Sequence, residues 1–286
     1  MNEGPFVPDS QTGWSSRLSK AEFELFRNFF VELIGLHLPE TKQMLVASRL
    51  GRRIATLGLK GFGEYHRLLT SPEGRQEIQH AVDLITTNET YFFREPDHFE
   101  ILETTILPSF PVGHFLNVWC GASSTGEEPY SLAMTLQEFK GHLSWKLVAS
   151  DVNSEVLEIA RRGIYPIARS EKIPTDLLKK YCRKGIGEYD GTFLIEAQLR
   201  SRIEFRKLNL MEIPTNLVDL DIVFLRNVLI YFDSSIRQEL LTRVIARIKP
   251  GGWLVLGHSE SLVGLQLPPL HQLKPSVYQR PKGSHP

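Results

Sequence analysis

The stretch Phe115–Ser131, FLNVWCGASSTGEEPYS, constrains the fold of this chain more than any other. Phe115, Leu116, Val118 and Trp119 form a short apolar run bounded by turn residues, the pattern of a buried strand. A small-residue loop runs from Gly121 to Gly126. Glu127, Glu128 and Pro129 follow, residue types favoured in the first turn of a helix. Strand, glycine loop and helix open a nucleotide-type α/β fold, whose ligands sit at the carboxyl ends of the strands.

Charge narrows the ligand. The G-x-x-x-x-G spacing lacks the Lys-Ser/Thr of a phosphate loop, and it is not the G-x-G-x-x-G dinucleotide fingerprint. Two carboxylates directly after the loop repel a pyrophosphate that needs the helix N-terminus. They suit a ligand with a cationic end, such as S-adenosylmethionine, which carries a sulfonium and an ammonium but no phosphate. The alternative is that Glu127 and Glu128 only complement the helix dipole. Local spacing leaves both readings open.

At 286 residues the chain is long enough for one large domain and a smaller one. Lysine plus arginine equals aspartate plus glutamate, 33 each, so no global charge points to nucleic acid and electrostatic recognition must be local. Cys120 and Cys182 have neither C-x-x-C nor Cys/His spacing, so no metal site is expected and a reduced, cytoplasmic setting is. The first residues lack the basic-then-apolar order of a signal peptide, and no run approaches a membrane span.

Residues 1–17 are expected to be disordered. The S-x-x-E pattern at Ser19 predicts a capped helix ending near Gly35. A second helix is expected from Pro39 to Gly58, with shorter ones near 64–69 and 71–86, giving a helical domain over residues 18–86. On the second helix Lys42, Arg49, Arg52 and Arg53 share one arc beside an apolar stripe. That arc reads either as a solvated flank or as a docking stripe for an acidic partner. Residues 87–96 place three aromatics and Arg94 before Glu-Pro. They read as a linker across the mouth of the main domain, which occupies residues 97–286.

Within that domain a second strand over 145–150 ends on Asp151. An acid there is placed to accept ribose hydroxyls, or else to cap the next helix. Residues 173–207 interrupt the α/β alternation. Three short runs, 178–184, 193–197 and 203–207, predict a small antiparallel subdomain, with Gly185-Ile186-Gly187 and Asp190-Gly191 as its turn. A strand over 221–225 then terminates in Arg226-Asn227, a helix spans about 234–248, and a closing strand pair follows a Pro-Gly turn.

Six ordered motifs, TTNETYFFRE, STGEEPYS, ASDVNSEVLEIAR with GIY, NL at 209–210, FLRNVLIYF and GHSES, resemble the chemoreceptor methyltransferase family, CheR. The resemblance covers about residues 18–280. It implies a doubly wound class I methyltransferase sheet with an inserted β-subdomain and an N-terminal helical domain. It also implies transfer of a methyl group from S-adenosylmethionine to glutamate side chains of methyl-accepting chemoreceptors, leaving S-adenosylhomocysteine. Carried over residue by residue, it implies that Asn88, Thr90 and Arg94 reach the cofactor from the linker. Glu128 would contact the methionine end, Asp151 the ribose, and Asn209 with Leu210 the adenine. Arg226, Asn227 and Tyr231 would border the methyl-transfer region, with Arg94 and Tyr231 the catalytic pair. Arg49, Arg52 and Arg53 become candidate docking residues for acidic receptor helices. Gly185 and Gly187 lie in a hairpin like those that bind a receptor C-terminal tail. Two competing functions are a cofactor-holding binding protein without turnover and an NAD-dependent oxidoreductase. Arg94 and Tyr231 argue against the first, and the glycine pattern argues against the second.

Overall fold

The computed structural model describes residues 17–139 and 143–283. The expected disorder over 1–17 therefore falls almost wholly outside the described residues. The chain divides into two compact units, Met1–Thr87 and Asn88–Pro286.

The first unit is helical: α1 (Lys20–Ile34), α2 (Gln43–Thr56), α3 (Phe62–Leu69) and α4 (Arg75–Ile85). The predicted capping box forms. The Ser19 side chain accepts from the Glu22 N–H while Glu22 accepts from the Ser19 N–H at 2.9 Å. Gly35 ends α1 in the left-handed conformation at φ 72°. Phe23, Phe26, Phe30, Phe62 and Tyr65 are buried and form the aromatic centre of this unit.

The second unit is α/β. It begins with α5 (Asp97–Ile101), continued by a π turn, and β1 (Phe115–Gly121). Next come α6 (Glu127–Glu138), β2 (Ser144–Asp151) and α7 (Ser154–Arg162). The insertion carries β3 (Ile164–Pro166), α8 (Thr175–Tyr181), β4 (Cys182–Lys184) and β5 (Thr192–Ile195). The chain returns through α9 (Ala197–Arg200), β6 (Ile203–Lys207), β7 (Leu220–Leu225) and α10 (Ser234–Arg247). It closes with β8 (Ile248–Leu256), β9 (His271–Lys274) and β10 (Val277–Gln279).

The main sheet has the order β6-β2-β1-β7-β8-β10-β9. Its first five strands are parallel, and β10 runs antiparallel to β8, as the closing strand pair predicts. Alternate residues of β1, β7 and β8 face two cores. Cys120, Phe224 and Val255 belong to one, and Trp119, Leu225 and Leu256 to the other. A parallel sheet covered on both faces explains why these strands read as continuous apolar runs. The order reverses at β1, whose neighbours β2 and β7 lead in opposite directions. Such a switch point opens a crevice at the carboxyl strand ends.

The small sheet differs from the expectation. Its order is β3-β5-β4, so Ile164–Pro166 supplies a strand, while Ile203–Lys207 pairs with β2 on the edge of the main sheet. Leu178–Tyr181 is helical, and only Cys182–Lys184 of that run is extended. The alternation in I-E-F-R-K predicts a half-buried strand but does not say which sheet edge it joins. Helix α6 stops at Glu138.

Candidate active site at the strand ends

Three strands deliver polar residues to the crevice: β1 leads into the Gly121–Gly126 loop, β2 ends on Asp151, and β7 is followed by Arg226 and Asn227. The loop is tightly made. Its Ser123 N–H donates to the Ser150 carbonyl at 2.9 Å, and its Ser124 N–H to Asp151 Oδ2 at 2.8 Å. Gly126 starts α6 at φ 96°, where a Cβ would lie 2.8 Å from the Ala160 Cβ and 2.9 Å from the Tyr165 hydroxyl. Glycine alone fits both the conformation and the close helix contact.

Asp151 accepts the Asn153 N–H at 2.9 Å on its other oxygen, so one carboxylate braces two loops. Helix α7 is capped by Asn153, whose side chain accepts from the Val156 N–H at 3.1 Å. The N-cap position of α7 is thus held by Asn153, while Asp151 braces the turn that leads into it. Beside it, the indole of the fully buried Trp119 donates to Ser150 Oγ at 2.9 Å.

The two acids that open α6 have different partners. Glu127 accepts from Thr125 Oγ1 at 2.6 Å and from Arg169 Nη1 at 2.9 Å, and the same Arg169 nitrogen donates to the Thr90 carbonyl at 2.9 Å. Burial pushes the Glu127 carboxyl up, against the pull of Thr125 and Arg169. Glu128 accepts from Arg226 Nη1 at 2.6 Å and from the Cys120 thiol at 3.2 Å. Both acids thus have specific ion-pair partners beyond the helix dipole.

Arg226 is the centre of the site, with its side chain fully buried. Its Nη2 donates to the Arg94 carbonyl at 2.6 Å and to Glu95 Oε2 at 2.8 Å. Burial works against its charge, yet Glu128 and Glu95 hold its pKa above the usual arginine value. Glu95 also accepts from Asn227 Nδ2 at 3.2 Å and from the His258 N–H at 3.1 Å. Burial alone would raise its carboxyl, but these donors, Arg226 first, bring it down to about 2. Glu95, His98 and His258 offer possible metal ligands within 4.8 Å of one another.

The linker is held in an unusual path. Phe93 and Glu95 have φ values of 53° and 56°, so Arg94 stands between two left-handed residues. Such conformations cost about 1–2 kcal/mol each and persist only where contacts enforce them. Here the Phe93 N–H donates to Ser131 Oγ at 2.9 Å, and Phe92 packs into the core against Tyr165 with ring centroids 5.1 Å apart. The half-buried Arg94 guanidinium donates to the Glu89 carbonyl at 3.1 Å and lies 5.8 Å from the Tyr91 ring centre. Upstream, the Asn88 carbonyl accepts from Ser124 Oγ at 3.0 Å. Asn88, Thr90 and Arg94 are thus on a segment tied to the glycine loop, Arg169 and Arg226.

After β7, Asn227 is left-handed at φ 58°. Glu260, only 6% exposed, accepts the N–H groups of Asn227 at 2.9 Å, Leu229 at 2.7 Å and Gly257 at 2.6 Å. Burial pushes the Glu260 carboxyl up against the pull of these groups. Tyr231 ends the short turn Leu229–Tyr231 that Glu260 anchors, and is half-buried. On the β6 side, Asn209 Oδ1 accepts the Met211 N–H at 3.0 Å, and Leu210 is buried.

The candidate docking residues belong to the helical unit and to the insertion. In the helical unit Arg53 forms a bidentate pair with Glu77 at 2.8 and 2.6 Å, and Arg49 donates to the Ile85 and Thr86 carbonyls at 2.7 and 2.9 Å. Arg52 is exposed. In the insertion Gly185 and Gly187 lie between β4 and β5. A Cβ on Gly185 would sit 2.0 Å from the Tyr189 carbonyl oxygen, which closes the hairpin to any other residue.

Glu95, Glu260, Arg169, His98 and His258 join the site without having been singled out from sequence. Glu95 and Glu260 lie within the quoted motifs TTNETYFFRE and GHSES, which were the available signal. The crevice presents carboxylates from four chain segments where a phosphate ligand would need cations. It fits a ligand with a cationic end and free hydroxyls.

Comparison with known proteins agrees with this chemistry. Residues 21–86 match the all-alpha domain of CheR methyltransferase, and residues 88–273 match its SAM binding domain. Chemotaxis protein methyltransferase 2 of Pseudomonas aeruginosa is 40% identical over 248 residues, spanning 86% of this chain and 88% of that protein. The chemotaxis protein methyltransferase of Salmonella typhimurium is 38% identical over 251 residues, 87% and 86% of the two chains. That of Borreliella burgdorferi is 35% identical over 277 residues, 93% of each. A helical unit followed by an α/β unit with an acid-lined strand-end crevice is matched by both parts of one family, and the chain belongs to the CheR family of S-adenosylmethionine-dependent methyltransferases.

Proposed function

We propose that this protein methylates glutamate side chains on the cytoplasmic helices of methyl-accepting chemoreceptors, in adaptation of chemotaxis or related signalling. The observation that carries the reading is the acid-lined crevice in which Arg226 joins Glu128 to the Arg94-Glu95 linker. When bound, S-adenosylmethionine would supply a sulfonium methyl whose carbon an ionised glutamate carboxylate attacks, so that an O–CH3 bond forms as the CH3–S bond breaks and the thioether S-adenosylhomocysteine leaves. Glutamate has an ordinary pKa near 4.3, so the nucleophile needs no strong base at pH 7. What remains for the protein is alignment and exclusion of water.

Glu128 faces the methionine end, Asp151 the ribose, and Asn209 with Leu210 the adenine. Asn88 and Thr90 close over the cofactor from the linker, and Asn227 borders it beside Arg226. Arg94 orients the incoming carboxylate through a charge-assisted hydrogen bond, and Tyr231 lies beside the transferred methyl. Methyl-label transfer from S-adenosylmethionine to receptor cytoplasmic fragments tests the reading. Base-labile label on glutamate is expected, and cofactor binding without label on any receptor tried would sink it.

Receptor docking is assigned to the exposed side of α2 and to the Gly185–Gly187 hairpin, where a receptor tail would raise the local concentration of methylation sites. Arg49 and Arg53 serve the helical unit itself, so the interface charge falls on Arg52 with Lys42. Arg52→Glu is expected to raise the KM for receptor fragment several-fold at low salt with kcat preserved. An unchanged KM would leave that residue mere solvation. The setting follows from the substrate: the receptor helices it modifies are cytoplasmic.

A further inference from the structure

Methyl transfer as proposed makes no use of the imidazoles of His98 and His258. His98, on α5, is 1% exposed, and its Nδ1 has no hydrogen-bond partner among the described residues. The other ring nitrogen sets the tautomer. Ser276 Oγ gives its hydrogen to the Pro275 carbonyl at 2.7 Å, so it accepts from His98 Nε2–H at 3.0 Å. Nδ1 is therefore a bare lone pair. It stands 3.4 Å from Glu95 Oε2, which is itself an acceptor from Arg226 and the His258 N–H.

Two acceptors facing each other in the interior are costly unless something positive lies between them. A bridging water fits poorly: two donor bonds of about 2.8 Å would spread the acceptors to about 4.6 Å. Zinc bonds of about 2.0–2.1 Å at tetrahedral angles place ligand atoms about 3.4 Å apart. Burial, with Arg226 nearby, pulls the His98 imidazole down to about 4, so at neutral pH it is in the uncharged, ligating form.

His258, beyond β8, supplies the third group. Its ring centre is 4.6 Å from that of His98, and one donor atom of each of Glu95, His98 and His258 lies within 4.8 Å of the others. Asp97 Oδ2 is 2.9 Å from His258 Nε2, the kind of carboxylate partner that orients a ligating histidine. The His258 and Asp97 side chains are 45% and 53% exposed, which gives a solvated ion a way in.

We propose that Glu95, His98 and His258 form a site for a zinc-class divalent ion, on which the linker, α5 and the turn after β8 meet. Two imidazoles and a carboxylate are the ligand set of zinc sites that keep a further position open. The site uses no cysteine, so cysteine spacing gives no sign of it. It does not depend on the identity of the methyl donor. Arg226 and the His258 N–H share Glu95 Oε2 with the ion, and that competition lowers its affinity.

Titration calorimetry of the metal-free full chain with zinc chloride tests this. One ion per chain is expected, bound in the micromolar range or tighter. His258→Ala, a change at an exposed side chain, should weaken binding about a hundredfold, and Asp97→Asn about tenfold. Cobalt(II) separates this site from the free Cys120 and Cys182. Its visible bands should report nitrogen and oxygen ligands without thiolate charge transfer, and should be lost in His258→Ala. Wild type that takes up no zinc, affinity unaltered in both variants, or thiolate bands in the cobalt spectrum overturns the proposal.

Discussion

Arg94→Ala is expected to lower methyl transfer to receptor fragments by about a hundred- to a thousandfold, the usual loss when a charged donor to the reacting group is removed. The fold should survive. The guanidinium donates to one carbonyl and lies over one exposed tyrosine, and neither contact is a buried ion pair. What the structure invests in Arg94 is its backbone. Two left-handed neighbours flank it, and its carbonyl is fixed at 2.6 Å from Arg226. Circular dichroism should therefore match wild type while turnover collapses. Arg94→Lys should recover only part of the activity, because an ammonium cannot present the planar fork to a carboxylate. Near-normal methylation by the alanine variant would remove Arg94 from the mechanism.

Arg226→Met should have the largest effect on stability, about 3–5 kcal/mol, because it leaves two buried carboxylates facing each other without a cation. For a unit of this size that is a fall of about 10 °C in melting temperature. Arg226→Lys should rescue it poorly, since one ammonium cannot reach Glu128, Glu95 and the Arg94 carbonyl in the same geometry. The acid dependence gives a second check. In the folded protein Glu95 titrates at about 2 against an ordinary value near 4.5, so its stabilising contribution is complete above that value and is lost as pH falls toward 2. Without Arg226 that contribution is absent. The gap in melting temperature between wild type and variant should be widest at pH 7 and narrow toward pH 3. A gap independent of pH would mean the loss is one of packing.

Local pattern was enough to place Glu128, Asp151 and Arg226 at strand and helix ends, because each lies within a few residues of a strand terminus that apolar runs reveal. The partners of these residues were not legible. Arg226 meets Glu128 across 98 positions and Glu95 across 131, and Glu260 reaches back 33 to Asn227. No periodicity encodes such pairings. The basic arc of α2 shows the same limit: helical spacing puts Arg49 and Arg53 on one face, but only the fold shows Glu77 and the α4 carbonyls waiting for them. Ile203–Lys207 was legible as a strand and not as a member of the main sheet. Its alternation of apolar and polar residues is the same on any edge.

Trp119 has a practical consequence. Its indole is fully buried, hydrogen-bonded to Ser150 one residue before Asp151, and lies where a Cβ on Gly121 would approach within 3.3 Å. A natural fluorophore is therefore built into the strand ends where the adenosine is proposed to sit. Trp145 lies under Arg202 at 3.9 Å and Trp253 donates to Ser109, and Trp119→Phe would leave these two and Trp14 as background. The protein should thus carry its own label-free emission signal for occupancy, one that can be followed in stopped flow on the timescale of turnover.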